Sequence, residues 1–314
     1  MSTGLRVLVT GGAGFIGSHV VEALLARGDA VSVIDNLDPY YDPAIKRGNL
    51  ARYGDRVRFV EGDLRDPEAL GRALDGADAV IHLAARAGVR RSIVEPAAYV
   101  DNNVRGIQCL LDAMDARGLR RLVYASSSSV YGARTSGPFR ESDPARAPES
   151  PYAATKMAGE LLAHAASRTR GFQVTCCRLF TVYGPRQRPE MAIHLFARKA
   201  LAGEPIRKFG AGDSERDYTY VGDIAAGLLA ALDRPEPFAV YNLGGARPIT
   251  LNGLLDGIAR VFERRLTIEQ LPDQPGDVPI TWADISQARA GLDYDPKVGL
   301  DEGLQRFRSW ILGT

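Results

Sequence analysis

Short apolar runs of strand length recur through the first half of the chain: LRVLVT, AVSVID, VRFVEGD, AVIHLAA, LRRLVYASS and QVTCCRLF. The segments between them carry helical spacing, the first from about Ile16 to Arg27. Continuously apolar strands separated by helices predict a parallel sheet covered on both faces and built from βαβ units. The expected fold class is α/β, doubly wound. From about Pro185 the pattern turns irregular, with a helix over 191–202, a polar loop GAGDSERD, a strand AVYNLG and a helix from near Leu251. This predicts a larger sheet domain over 1–180, to which a stretch over about 219–245 returns, and a smaller mixed α/β domain over 181–314. Internal repeats and low-complexity segments are absent from the sequence.

Composition narrows the function classes. With 314 residues, 45% of them hydrophobic, the chain can bury a sizeable core. Lys+Arg 39 against Asp+Glu 38 leaves a net charge of +1, which offers no general attraction to nucleic acid or to an anionic membrane. Any anion site must be local, so the expected partner is a small molecule. No stretch approaches the roughly 20 apolar residues of a membrane span, and the N-terminus lacks a cleavage pattern, so the expected location is cytoplasmic. Cys109, Cys176 and Cys177 form neither a disulfide framework nor a zinc spacing, and His19, His82, His164 and His194 are scattered. No metal is expected.

Two motifs carry chemistry. LVTGGAGFIGSHVVEALLARG places Gly11, Gly14 and Gly17 between a strand and a helix. Glycines there permit a tight turn, close backbone approach to a pyrophosphate and close helix packing, while the helix N-terminus supplies unpaired N–H groups. Asp35 closes the second strand, where a carboxylate accepts bonds from both ribose hydroxyls and repels a 2′-phosphate, so NAD is the expected cofactor rather than NADP. Asp63, after the third strand, is placed either to reach the adenine or simply to form a turn. Downstream, SPYAATK sets Tyr152 and Lys156 at i and i+4 on one helix face, and YASSSSVYG puts four hydroxyls at the carboxyl end of a strand. An ammonium near Tyr152 would stabilise its phenolate, and a serine could bridge it to a substrate hydroxyl.

TGGAGFIG, HLAA, NNVRG, SSSSVYG, PYAATK and RDYTYVGDI together resemble the extended short-chain dehydrogenase/reductase family of nucleotide-sugar enzymes. The resemblance implies a Rossmann domain holding NAD, a C-terminal domain gripping a nucleoside diphosphate sugar, and a triad of Ser127, Tyr152 and Lys156 with Ser128 and Ser129 beside it. It implies a cofactor set of Gly11, Gly14, Phe15, Ile16, Gly17, Asp35, Asn36, Asp63, Leu64, Leu83, Ala84, Ala85, Tyr152 and Lys156, with Asn102 supporting the site from within the sheet. It also implies a homodimer, paired through helices over 104–117 and 152–168.

Family dehydratases carry an Asp-Glu pair after the serine or threonine; here Ser128 and Ser129 follow, so dehydration is not expected and epimerisation at C4 is. LDPYYDPAIKRGNL, ARAGVRRS, RLFTVYGPRQRPEMAI and DQPGDVPITWAD are similar to segments of UDP-glucuronate 4-epimerases. That resemblance implies substrate contacts from Thr181, Met191 and Arg188, the last to the sugar carboxylate, with Arg186 as support or diphosphate contact. Arg216 and Arg90 are the implied diphosphate residues, Lys208 and Phe209 border the uracil or simply end a strand, and Gln274 and Asp277 fall where relatives close over the nucleotide. The expected reaction interconverts UDP-glucuronate and UDP-galacturonate. A UDP-glucose or UDP-hexosamine 4-epimerase, a UDP-glucuronate decarboxylase and a non-catalytic NAD sensor or scaffold are the alternatives.

Overall fold

A computed structural model of the chain describes residues 4–272 and 278–314. Thirteen strands occur among them: β1 (Arg6–Thr10), β2 (Ala30–Asp35), β3 (Val57–Glu61), β4 (Ala79–His82), β5 (Arg121–Ser127), β6 (Gln173–Leu179), β7 (Thr181–Tyr183), β8 (Ile206–Phe209), β9 (Glu215–Tyr220), β10 (Phe238–Leu243), β11 (Pro248–Thr250), β12 (Ile268–Leu271) and β13 (Ile280–Thr281). Seven form one sheet in the order β3-β2-β1-β4-β5-β6-β10, every pair parallel. The order reverses between β1 and β4, the place where such sheets open a ligand crevice beyond their carboxyl ends.

The apolar runs are continuous because both faces are covered. Along β1, Val7 and Val9 join one core with Val20, Val21 and Leu24 of helix Phe15–Arg27, while Leu8 joins the other with Leu70, Ile107 and Leu111. The AVYNLG strand returns to this sheet as β10, in register from Phe238↔Val174 to Leu243↔Leu179. The first core continues without a break into the C-terminal helices through Ile193, Ile258, Leu304 and Phe307. Smaller sheets set β9 between β11 and β13, with β7 also on β9, and pair β8 with β12. No helix among the described residues is long and apolar enough to cross a membrane.

Local differences from the sequence reading have physical causes. The last three residues of the expected polar loop GAGDSERD are strand, because β9 begins at Glu215 and pairs on both sides. The helix expected from Met191 starts at Ala192, with Met191 as its extended N-cap. The helix expected from Val104 is preceded by a π turn over Val100–Arg105 and becomes regular at Gly106–Asp115. Asn102 therefore lies on a helical turn and not within the sheet, donating to Ala98 O at 2.9 Å. It still lines the cavity over the strand ends, while its buried neighbour Asn103 bonds Arg86 N, Arg86 O and Thr155 Oγ1 at 2.8–3.0 Å.

Candidate active site

A cavity of about 570 Å³ lies over the carboxyl ends of the parallel strands. Gly11 follows β1, Asp35 ends β2, Asp63 follows β3, Leu83 to Ala85 follow β4, Ser127 ends β5 and Thr181 follows β6; all line it. One open sheet edge thus gathers side chains from six separate stretches of sequence.

At the β1 turn, Gly11 has φ +70 and donates its N–H to Ile34 O at 2.8 Å. A side chain on Gly17 would place its Cβ 2.2 Å from Gly11 O, so the helix can approach the turn this closely only with glycine. Gly14 is the extended N-cap of helix Phe15–Arg27 and carries no side chain to cover the first-turn N–H groups, which leaves them open to an anion. The buried Asp35 carboxylate accepts from Ala13 N at 3.2 Å and Leu37 N at 2.9 Å. Burial raises its pKa, opposed by the Lys46 ammonium at 3.8 Å and those two N–H groups. Asn36 donates to Asp63 at 2.9 Å, and Arg65 holds the Asp63 carboxyl down at about 2. A glycine cradle that a Cβ would fill, an open helix N-terminus and a carboxylate at the end of β2 together fit a dinucleotide such as NAD.

Helix Pro151–Arg170 starts where it does because the Ser150 side chain accepts from Ala153 N and Pro151 occupies its first turn. Tyr152 is thereby set in the first turn of the helix, where it lines the cavity. Desolvation raises the Tyr152 pKa, while a hydrogen bond with Ser127 and the Arg188 charge act to lower it. The ammonium of Lys156 donates to Ala125 O at 2.7 Å and lies 5.1 Å from the centre of the Tyr124 ring. Burial brings its pKa down to about 8, with Glu160 one turn on acting to raise it. Arg188 thus joins Lys156 as a cation of the site, its charge acting on Tyr152 while the Lys156 ammonium is held at the β5 carbonyl.

All four serines of the run line the cavity, with Ser129 Oγ donating to Ser127 Oγ at 2.9 Å. The Ser126 hydroxyl donates to Glu160, which also takes both arms of Arg178 at 2.9 and 2.8 Å inside the protein. This buried network lies directly behind the lysine.

Arg90, Thr181, Arg188, Met191 and Arg216 line the same cavity. Arg188 rests 5.6 Å from the centre of the Tyr40 ring and pairs with Glu190 at 3.3 Å. Arg186, expected among the substrate residues, is elsewhere: only 6% of its side chain is exposed, and it forms a two-armed pair with Glu22 at 2.6 and 2.7 Å. Lys208 and Phe209 do not line the cavity either, and the Lys208 ammonium bonds Ala211 O and Asn252 Oδ1, both at 3.2 Å. Gln274 and Asp277 lie outside the described residues.

Sequence reasoning passed over Tyr40, Tyr41, Lys46 and Arg86, which also line the cavity. Their loop is fastened across the opening: Arg86 bonds Asp38 at 3.3 and 3.2 Å, and Arg91 donates to Tyr40 O at 3.2 Å. The only signal was the paired tyrosines of LDPYYDPAIK, quoted for likeness rather than for chemistry.

The fold and this geometry agree with comparisons to known proteins. Residues 7–244 match the model of the NAD dependent epimerase/dehydratase family. A protein of Thermodesulfobacterium geofontis named UDP-glucuronate 4-epimerase is 42% identical over 308 residues, 96% of this chain and 95% of that one. The crystal structure of UDP-glucuronic acid 4-epimerase from Bacillus cereus, in complex with UDP-glucuronic acid and NAD, superposes with a TM-score of 0.93 at 36% identity, covering 98% of this chain and 99% of that one. A Thermus thermophilus UDP-glucose 4-epimerase complexed with NAD gives 0.90 at the same 36%, with 98% and 99% covered. With the family model spanning the whole parallel sheet and relatives matched from end to end, the chain belongs to the NAD dependent epimerase/dehydratase family.

Proposed function

We propose that the chain is an NAD-dependent epimerase that interconverts UDP-glucuronate and UDP-galacturonate at C4 without loss of carbon dioxide. The observation that carries this reading is the place of Arg188: it lines the same cavity as Ser127 and Tyr152, and its charge acts on the Tyr152 hydroxyl. A guanidinium offers a carboxylate two parallel N–H bonds, an arrangement that a neutral hydroxymethyl group cannot exploit. The relatives named for UDP-glucuronate support the same substrate.

NAD, when bound, supplies the hydride acceptor for C4 and returns the hydride to the opposite face, so no net redox partner is needed. The cradle residues for it are Gly11, Gly14 and Gly17 with the helix N-terminus, and Asp35 for a ribose. Tyr152 takes the proton of the C4 hydroxyl and later gives it back, with Ser127 bridging hydroxyl and phenol. Lys156, held at the β5 carbonyl, and Arg188 stabilise the phenolate by their charges. Ser128 and Ser129 provide neither the acid nor the base that elimination of water would need.

Oxidation at C4 turns the substrate into a β-keto acid. Decarboxylation would break the C5–C6 bond, send its electron pair into a C4–C5 enolate and require a proton at C5. It needs the breaking bond perpendicular to the ketone plane, and Thr181 and Arg188 hold the carboxylate out of that alignment. Residues 1–180 with the return over 219–245 hold the cofactor in this reading, and 181–314 hold the nucleotide sugar. A cytoplasmic setting agrees with three free cysteines. A homodimer agrees with the exposed Ile93, Val94, Val100 and Leu161, apolar side chains on neighbouring helices.

The test is incubation of the purified protein with UDP-glucuronate and no added NAD, followed by proton NMR. UDP-galacturonate as the product supports the reading. UDP-pentose as the main product makes the protein a decarboxylase, and turnover of UDP-glucose alone makes it a neutral-sugar epimerase; either refutes it.

A further inference from the structure

Two prolines bound the loop that carries Arg188, yet they do not fix its course. Arg186, between them, has φ +67, in the left-handed region that a residue with a side chain occupies only at a cost. Contacts from outside the loop hold it there. Both arms of the buried Arg186 guanidinium reach the two oxygens of Glu22, which also accepts from Arg52 Nε at 3.0 Å. The two arginines bring the Glu22 carboxyl down to about 2 against the opposing effect of burial, so it stays ionised. One turn earlier on the same helix, His19 Nε2 is 2.9 Å from Pro185 O. Burial and the Arg186 charge hold His19 neutral, with a pKa of about 4, and the same Nε2 lies 3.3 Å from Arg186 Nε. On the other side of the loop, Gln187 Nε2 donates to Val182 O at 3.2 Å and Gln187 O accepts from His194 Nδ1 at 2.6 Å. The loop is thus anchored at 185, 186 and 187, and the next side chain, Arg188, enters the cavity.

Glu22 and His19 do not line that cavity, but they sit on helix Phe15–Arg27, whose first turn forms the dinucleotide cradle. We propose that the Glu22–Arg186 pair is a positioning device for Arg188: it fastens the loop that reads the substrate's carboxylate to the helix that carries the cofactor cradle. Glu22 then sets the selectivity of a site it never touches. The inference rests on the reading of Arg188 as the carboxylate partner.

Glu22→Gln, Arg186→Gln, their double variant, Glu22→Asp and Arg188→Ala are compared with the unaltered protein for KM and kcat on UDP-glucuronate, UDP-pentose by-product, retained NAD and melting temperature. Displacing a charged recognition group by a fraction of an ångström in a closed site costs about tenfold or more. Glu22→Gln is expected to raise KM by about tenfold and to raise the by-product fraction, with kcat within about threefold and NAD retained. The double variant should lose no more than the worse single one, and Glu22→Asp should recover most of the loss. If Glu22→Gln and Arg186→Gln lower only the melting temperature, the pair is merely structural and the proposal falls. If KM rises only together with loss of NAD, the pair serves the cofactor helix alone and the proposal also falls. Arg188→Ala separates the two ideas: unchanged KM there removes the carboxylate reading and this inference with it, whereas raised KM there with unchanged KM in Glu22→Gln removes the inference alone.

Discussion

Replacing Arg188 by alanine tests the substrate reading most directly, and its size follows from the surroundings of the side chain. The Arg188 side chain is 19% exposed, so a carboxylate bound there would meet it largely out of water. Hydrogen bonds between charged groups contribute about 1.5–3 kcal/mol each, and two that share one desolvation come to about 3 kcal/mol. Before substrate arrives, Arg188 already pairs with Glu190, whose side chain is 42% exposed, and this competing contact offsets about 0.5 kcal/mol. The net loss, about 2–3 kcal/mol, corresponds to a fall of about 30- to 150-fold in kcat/KM for UDP-glucuronate. Arg188→Lys keeps the charge and loses the fork, so about tenfold is expected. UDP-glucose, which lacks the carboxylate, should lose little in either variant when rates are compared on the alkaline plateau, above the Tyr152 limb. A second signature follows from Tyr152: its pKa, raised by desolvation, is held down in part by the Arg188 charge. Without that charge the phenolate forms at higher pH, so the acid limb of the kcat/KM profile should move toward alkaline pH. Initial rates from pH 6 to 10, read by anion-exchange separation of the two uronates, give both quantities. Equal losses for UDP-glucuronate and UDP-glucose, or a loss below about threefold for UDP-glucuronate, would refute the reasoning.

Three other outcomes are expected. Tyr152→Phe removes the proton carrier without changing the shape of the cavity, so single-turnover oxidation at C4 should fall by about a thousandfold while calorimetric binding of UDP-glucuronate stays within a few-fold. Gly17→Ala puts a methyl 2.2 Å from Gly11 O, and displacing the helix should cost about 1–3 kcal/mol in denaturant titrations and release NAD on gel filtration. His82, buried against Thr10 Oγ1 at 2.7 Å and stacked on Tyr124, is held neutral by burial and by Lys156, with a pKa of about 3 against an ordinary 6.5. Between those two values the unfolded chain binds a proton that the folded chain refuses, so stability falls as pH falls through that window. The effect is at most a few kcal/mol, and denaturant midpoints from pH 7 to 4.5 should drop less in His82→Gln than in the unaltered protein.

Fold and site were legible to different depths, for reasons that particular residues make plain. The sheet could be read because its strands are buried on both faces, which writes them as unbroken apolar runs such as LRVLVT and QVTCCRLF. The cofactor cradle and the Tyr152 helix could be read because their geometry is local: a glycine turn that opens a helix, and a pair four residues apart. The part played by the buried Asn103, beside the cavity-lining Asn102, could not be read, because it depends on a π turn that the helical pattern does not announce. Nor could Ser126 be told from its three neighbours, since its diversion depends on Glu160 and Arg178 coming together from a helix and a strand.

The arginines of GPRQRPEM show the limit most clearly. Composition leaves a net charge of +1 and so demands that any anion site be local, but it cannot say which arginines are already engaged. Two of them, two residues apart in one loop, look equivalent until the sign of φ at Arg186 is known, because that sign turns one inward and leaves the next facing the cavity. The partner that holds the turn, Glu22, is 164 residues away on the first helix, at a distance where no spacing rule applies. The loop between Pro185 and Pro189 is therefore held in large part by an ion pair. That changes which substitutions matter: relaxing a proline should perturb the loop less than neutralising a glutamate at the other end of the chain.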